Sequence, residues 1–386
     1  MVNSPKPRRP RYLSLDMMRG IACLFIVIHH TADSEYKRAP VASELSVSSV
    51  LLSATHWMSL GVPMFFVISG YCIAATSDSI RRRPTDHVQF FRRRFRRIYP
   101  PYYFAIAFQS AIMLLFNNYM FPYPKTGASS PYWDPTTLNV WQWLGNLTLT
   151  ENWRWQFFGG PGRLVLGQAW TLCNEEQFYI IMGLILIFSP RSMFRASALV
   201  TVFSIAVYHV GVRYRLPIHG FFFDIGWLMF VAGVVVYHQV NYGPVGRPWA
   251  GYGLLLLGLA YAFGIGRVDL IASLSFAMIL LALNPWDARI ATSSWLRPFT
   301  FCGTICYSLY LTHVPIAMWA DQVLYHYGVR GAVPTLCVTV PVGIACSVFV
   351  AWLFYLLVER KFINAPNTLR SAESPDTAVV SGPIRP

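Results

Sequence analysis

Ten separate runs of mainly apolar residues, each about as long as a bilayer is thick, constrain this chain more than any other feature. They cover 15–31, 55–76, 97–118, 173–189, 196–212, 221–239, 249–265, 268–284, 300–321 and 333–358. Hydrocarbon offers no partner for backbone polar groups, so runs of this length fold as helices that satisfy their own N–H and C=O. The expectation is an all-α polytopic bundle of about ten transmembrane helices. Composition agrees: of 386 residues 55% are hydrophobic and only 12% are charged, about half the charge of a soluble domain. The 13 Trp, 21 Tyr and 27 Phe suit long membrane interfaces.

The net charge of +14 would suggest nucleic acid in a soluble protein. In a polytopic chain it follows topology instead. With the N-terminus placed in the cytoplasm, 22 of the 31 lysines and arginines fall on that side. This bias predicts both termini inside and an even number of spans, in a cytoplasmic (inner) membrane. Residues 1–11 read as a basic cytoplasmic tail, 12–365 as one transmembrane domain, and 366–386 as a disordered cytoplasmic tail. The first apolar run meets no small-x-small cleavage site and is expected to stay as a span. The connection 119–172, rich in Trp, Pro, Gly and Asn, is long enough to be functional or lid-like. Within it Asn146-Leu147-Thr148 matches a glycosylation sequon.

Four constellations carry chemistry. The first is Asp16, Arg19 and His30 in the first run. Eleven residues make about three helical turns, so Arg19 and His30 share a face, roughly 16 Å apart along the axis. A cation and an imidazole on one intramembrane stripe point to a polar lining, and Asp16 at i, i+3 offsets the cost of Arg19. His29 lies off that face. The second is Arg92 to Tyr102. Positive-inside anchoring explains much of its charge, but Arg94 and Arg97 at i, i+3, beside Arg93, can converge on a phosphate. Ser69, Gly70 and Tyr71, at the end of the second run, fit a closely approaching donor.

The third constellation is Trp170 to Tyr179, where Glu175 and Glu176 open a span. Plain helix capping is one reading. The other pairs Glu175 with His30, a carboxylate orienting an imidazole. The fourth is Tyr307 to His313, whose hydroxyls often serve only interhelical bonding. Tyr307, His313 and Trp170 are candidates for acceptor contact. No His/Cys group has metal-ligand spacing, so no metal is expected. There is no P-loop and no Gly-x-Ser-x-Gly elbow. The seven cysteines form no Cys-x-x-Cys pair and read as small buried thiols.

Taken in order, these segments resemble the acyltransferase 3 family of integral-membrane O-acyltransferases. Leu15-Asp16-x-x-Arg19-Gly20 with His30 is similar to its opening motif and its Arg-x10-His signature. Met64 to Tyr71 resembles Phe-Phe-x-x-Ser-Gly-Tyr, and Arg93 to Pro100 resembles Arg-Arg-x-x-Arg-Ile-x-Pro. Trp170 to Tyr179 matches a fourth motif with Thr171 in place of Ser, and Tyr307 to His313 a fifth.

The resemblance implies transfer of an acyl group, commonly acetyl, across the membrane. The donor would be cytoplasmic acyl-coenzyme A, used as a co-substrate with no permanently bound cofactor. The acceptor would be a hydroxyl of an extracytoplasmic carbohydrate or glycolipid. It implies His30 as catalytic histidine, with general-base and nucleophilic roles both open. Arg19 would be its helical partner, Glu175 the matching acid, and Arg94 and Arg97 the donor-binding pair. The alternative is a transporter that uses buried Arg, His and Glu as a substrate or proton path. No internal repeat of the kind common in transporters is seen.

Overall fold

The computed structural model describes residues 12–38, 46–82, 88–119, 135–243 and 249–363. The two predicted tails lie outside these ranges, as do Arg83, Arg247 and most of the basic residues of the N-terminus. Every element among the described residues is helical. The helices are α1 (Leu15–Arg38), α2 (Val47–Trp57), α3 (Gly61–Arg81), α4 (Val88–Tyr119), α5 (Val140–Leu147), α6 (Glu151–Phe158), α7 (Trp170–Phe188), α8 (Met193–Tyr214) and α9 (Gly226–Tyr242). There follow α10 (Trp249–Gly264), α11 (Val268–Leu283), α12 (Asp287–Thr292), α13 (Arg297–Thr304), α14 (Cys306–His326), α15 (Ala332–Pro334) and, after a π-helical stretch at Thr335–Thr339, α16 (Val340–Leu357).

Each of the ten predicted runs corresponds to helix. Seven segments are long and apolar enough to cross a membrane, and eight if one bent pair is a single span. That pair is Ser294–Thr304 with Cys306–His326, bent by 78°. The α10 helix is apolar but short, and α9 has only 17 residues. Both were expected as ordinary spans. Of the connection 119–172, the stretch from 135 on is described and is largely helical. It holds α5 and α6, and α5 begins with a capping box between Asn139 and Gln142, which satisfies helix-end N–H groups that composition does not reveal.

Small residues set the closest crossings. A Cβ on Gly70 would lie 1.9 Å from the Phe230 carbonyl oxygen, and one on Gly233 would lie 1.9 Å from that of Val67. So α3 and α9 approach backbone to backbone, as bundle helices in lipid do where side chains are absent. The same arrangement joins α1 to α13, where a Cβ on Gly20 would overlap the Phe299 carbonyl and one on Gly303 that of Asp16.

Remote carboxylates satisfy the helix starts. Asp287 accepts from the N–H groups of Leu13 and Ser14, both at 2.8 Å, and so fixes the start of α1. Glu359 accepts from Ser308 N–H at 3.0 Å and from its hydroxyl at 2.5 Å, at the start of α14. Both acids are buried. They meet the orphan donors that a helix N-terminus leaves, with charge of the favourable sign. At the end of α3, fully buried Asp78 accepts from Arg81 at 2.5 Å and from the Tyr237 and Tyr242 hydroxyls at 2.9 and 2.6 Å. A buried carboxylate is tolerable only with such complete pairing.

Candidate active site

Five helices, α1, α3, α4, α7 and α14, enclose a cavity of about 510 Å³. Its wall includes Asp16, Arg19 and His30 from α1, and Ser69, Tyr71 and Cys72 from α3. Arg94 and Arg97 come from α4, Trp170 and Glu175 from α7, and Tyr307, Tyr310 and His313 from α14. The stripe expected on α1 therefore lines a cavity inside the bundle, and one space joins the imidazole at position 30 to the arginines at 94 and 97.

Arg19 donates to Asp16 Oδ1 at 2.7 Å and to Cys72 Sγ at 2.8 Å. The i, i+3 pairing expected on α1 is present, and the guanidinium is anchored across to α3. Arg94 lies over the ring of Tyr179, 4.8 Å from its centroid, with Thr76 Oγ1 3.5 Å from Nη2. Cation–π stacking holds the fork in place without using up its donors. Arg97 is exposed and lines the cavity, so it stands at the mouth.

Two donor-site expectations change. Arg93 is exposed and is absent from the cavity wall. It leaves the helix about 100° from Arg94, so it cannot converge with Arg94 and Arg97. Gly70 does allow a close backbone approach, but the partner is α9 at Phe230, not a bound molecule. Its neighbours Ser69 and Tyr71 do line the cavity. Tyr71 also stands edge-on to Tyr12 and Tyr237, with centroids 5.8 and 5.3 Å away.

Glu175 lines the cavity, yet its Oε1 accepts from the Ser69 and Tyr179 hydroxyls. The expected pairing with His30 is not what the hydrogen bonds show. The aromatic group facing His30 across the cavity is His313, with ring centroids 5.4 Å apart. His313 is buried. Its Nδ1 lies 2.9 Å from the carbonyl oxygens of both Leu309 and Tyr310. A carbonyl can only accept, so the proton sits on Nδ1 and Nε2 carries a lone pair. That Nε2 has no hydrogen-bond partner among the described residues.

The placement of His313 follows from its helix. Pro315 lies within α14 and has no N–H to give to the carbonyl four residues back, that of Leu311. Gln168, just ahead of α7, fills the vacancy: its Nε2 donates to the Leu311 oxygen at 3.1 Å and to that of Tyr310 at 3.3 Å. Tyr310 in return donates to the Gln168 carbonyl at 2.8 Å and lies 3.0 Å from Thr171 Oγ1. The hydroxyl kept by Thr171 is thus in use. Tyr307 stacks on Tyr310 and donates to the Ile98 carbonyl at 2.8 Å, tying α14 to α4. Trp170 stands edge-on to Phe66 at 6.4 Å, 40% exposed. Sequence reasoning missed Gln168, Tyr310 and Cys72. The proline inside an apolar helix was the available signal for Gln168, because it announces a carbonyl in need of a donor.

Asn146 of the sequon is fully buried. Its amide donates to the Gln142 and Arg163 carbonyls at 2.8 and 2.7 Å and accepts from Val165 N–H at 2.8 Å. Every polar atom is committed, so this asparagine is a structural tie and not a glycan acceptor. The expectation of no metal cluster rested on sequence spacing, whereas the fold brings His29, Asp33 and His56 together from two helices.

Comparison with known proteins agrees with the motif order. A family model described as an acyltransferase domain matches residues 12–356. The O-acetyltransferase OatA of Staphylococcus aureus (strain NCTC 8325 / PS 47) is 24% identical over 360 residues, covering 84% of this chain and 53% of OatA. The chain thus spans about half the length of that relative. The acyltransferase MdmB of Streptomyces mycarofaciens is 29% identical over 182 residues, covering 46% of this chain and 40% of MdmB. No solved structure matches. A family match over nearly the whole described region, on a helical chain with seven or more apolar helices able to span a membrane, makes this chain a member of the acyltransferase 3 family of membrane acyltransferases.

Proposed function

We propose that the protein transfers an acyl group, acetyl in the simplest case, from acyl-coenzyme A to a hydroxyl of a carbohydrate or glycolipid on the other side of the membrane. The observation that supports this is the single cavity shared by Arg94 and Arg97 at one end and His30 and His313 at the other. The similarity to OatA, an O-acetyltransferase, supports the same reading. In it the bundle crosses the membrane ten times, with both termini and the Arg94 end in the cytoplasm of a cytoplasmic-membrane protein.

The phosphates of the donor dock on the guanidinium forks of Arg94 and Arg97, where charge-assisted bonds are strongest. The pantetheine arm runs past Ser69 and Tyr71 towards Arg19. The acceptor hydroxyl enters the cavity beside His30 and His313, with Trp170 and Tyr307 on the surrounding wall. His30 takes the hydroxyl proton as the oxygen attacks the thioester carbonyl. The carbon–sulfur bond then breaks, and the imidazolium returns the proton to the departing thiolate. Arg19 supplies fixed positive charge where the thioester oxygen and the sulfur turn negative. Asp16 keeps Arg19 in place. Glu175 acts from the donor side, holding Ser69 and Tyr179 in the orientation that Arg94 stacks upon.

Binding of coenzyme A to the purified protein tests the donor half. Wild-type protein should bind it, and Arg94→Gln with Arg97→Gln should lose binding while remaining folded. Equal binding by the double variant contradicts the assignment. Acceptor flux without any acylated product would favour a transporter instead.

A further inference from the structure

We propose that His29, Asp33 and His56 form a binding site for a divalent transition-metal ion, one that clasps α1 to α2 beside the His30 end of the cavity. A ring nitrogen from each histidine and a carboxylate oxygen of Asp33 lie within 4.8 Å of one another. His29 and Asp33 are four residues apart on α1 and so share one face. His56 arrives from the last turn of α2.

The polar atoms of this cluster are left over by the rest of the fold. Nδ1 of His29 and Nδ1 of His56 are both buried and have no hydrogen-bond partner among the described residues. Asp33 bonds neither imidazole. It pairs with Lys37 at 2.5 Å, whose side chain is 70% exposed. Three groups able to form a hydrogen-bonded chain have not formed one. Buried polar atoms without partners are costly and rare, and an ion is one of the few things that explains them.

The surroundings suit metal ligation. The ring of His56 is fixed by Tyr36, stacked at 4.6 Å with an interplanar angle of 16°. Two neutral imidazoles and one carboxylate make the N2O donor set of three-ligand zinc sites, with the fourth position left for water. Zinc draws such donors to about 3.4 Å from each other, so small side-chain rotations would close the cluster. The ion displaces only Lys37, and an exposed pair of that kind contributes about 1 kcal/mol at most.

The test uses full-length protein in nanodiscs, purified on a tag without histidine, stripped with a chelator and titrated with Zn²⁺ and Co²⁺. The expected result is one Zn²⁺ retained per chain after desalting, and visible Co²⁺ absorption of tetrahedral or five-coordinate intensity. His29→Ala and His56→Ala should each weaken Zn²⁺ binding by more than about 100-fold, beyond the 10–100-fold cost of disturbing outer-shell partners. His209→Ala, at an exposed histidine on α8, should leave it unchanged. Absence of retained Zn²⁺ in the wild type would overturn the site, as would a Co²⁺ spectrum of the hexa-aqua ion. Equal affinity in both histidine variants would do the same. Should a variant misfold, the wild-type stoichiometry and Co²⁺ spectrum still decide. None of these readouts depends on acyl transfer, so either idea can fail alone.

Discussion

His30 and His313 face each other across the cavity with ring centroids 5.4 Å apart, and no hydrogen bond reaches His313 Nε2 among the described residues. Both imidazoles line the same cavity, so an acceptor hydroxyl bound there would meet them together. His313→Ala should therefore lower acyl transfer by about 100-fold, within the range for a positioned acid–base group. Coenzyme A binding should not change. Steady-state kinetics with calorimetry on the same preparation check this, and an unchanged kcat would place His313 in a packing role only.

Glu175 has its partners on the donor side, at Ser69 and Tyr179. Glu175→Gln keeps Oε1 as an acceptor for both hydroxyls, so transfer should fall by less than about tenfold, well short of the loss of a general base. A loss as large as that of His30→Ala would return Glu175 to the imidazole.

Arg94 stacks on Tyr179 as a planar fork. Arg94→Lys keeps the charge and loses both the stacking and the paired donors, so coenzyme A affinity should drop about tenfold or more. Isothermal titration reads this directly. Full affinity in the lysine variant would mean that Arg94 acts only as a point charge.

Gly70 touches the Phe230 backbone. Gly70→Ala should cost about 1–3 kcal/mol through overpacking and lower Tm or yield. Gly253→Ala, with nothing within 4 Å of the added methyl, should be neutral or stabilising by up to about 1 kcal/mol. Equal stability of the two variants would contradict the α3–α9 crossing.

Gln168 answers the carbonyl that Pro315 leaves open. Gln168→Leu should destabilise by about 1–3 kcal/mol, the usual cost of stranding a buried acceptor. Thermal unfolding in detergent checks this. An unchanged Tm would mean that the Leu311 carbonyl finds another donor.

The helical class, the apolar runs and the α1 stripe were legible because periodicity along one helix is a local property. Asp16, Arg19 and His30 needed only a 3.6-residue repeat. What the sequence hid was pairing between helices. Glu175 could be placed near His30 by topology, but whether it bonds His30, Ser69 or Tyr179 depends on helix rotation. Gly70 was read as a place where a donor comes close, whereas the group packed against it is the α9 backbone at Phe230, 160 residues downstream in the chain. His29, Asp33 and His56 were not read as a cluster because His56 sits on the next helix, α2, and spacing along one helix does not say which way α2 turns its face towards α1.

The central claim is that the imidazole of His30 performs the transfer while a separate pair of arginines holds the donor. The most direct measurement follows acylation of the acceptor and coenzyme A binding side by side in His30→Ala. The account predicts transfer reduced by about 10²–10⁴-fold with donor affinity intact. Transfer at the wild-type rate in folded His30→Ala protein would contradict it.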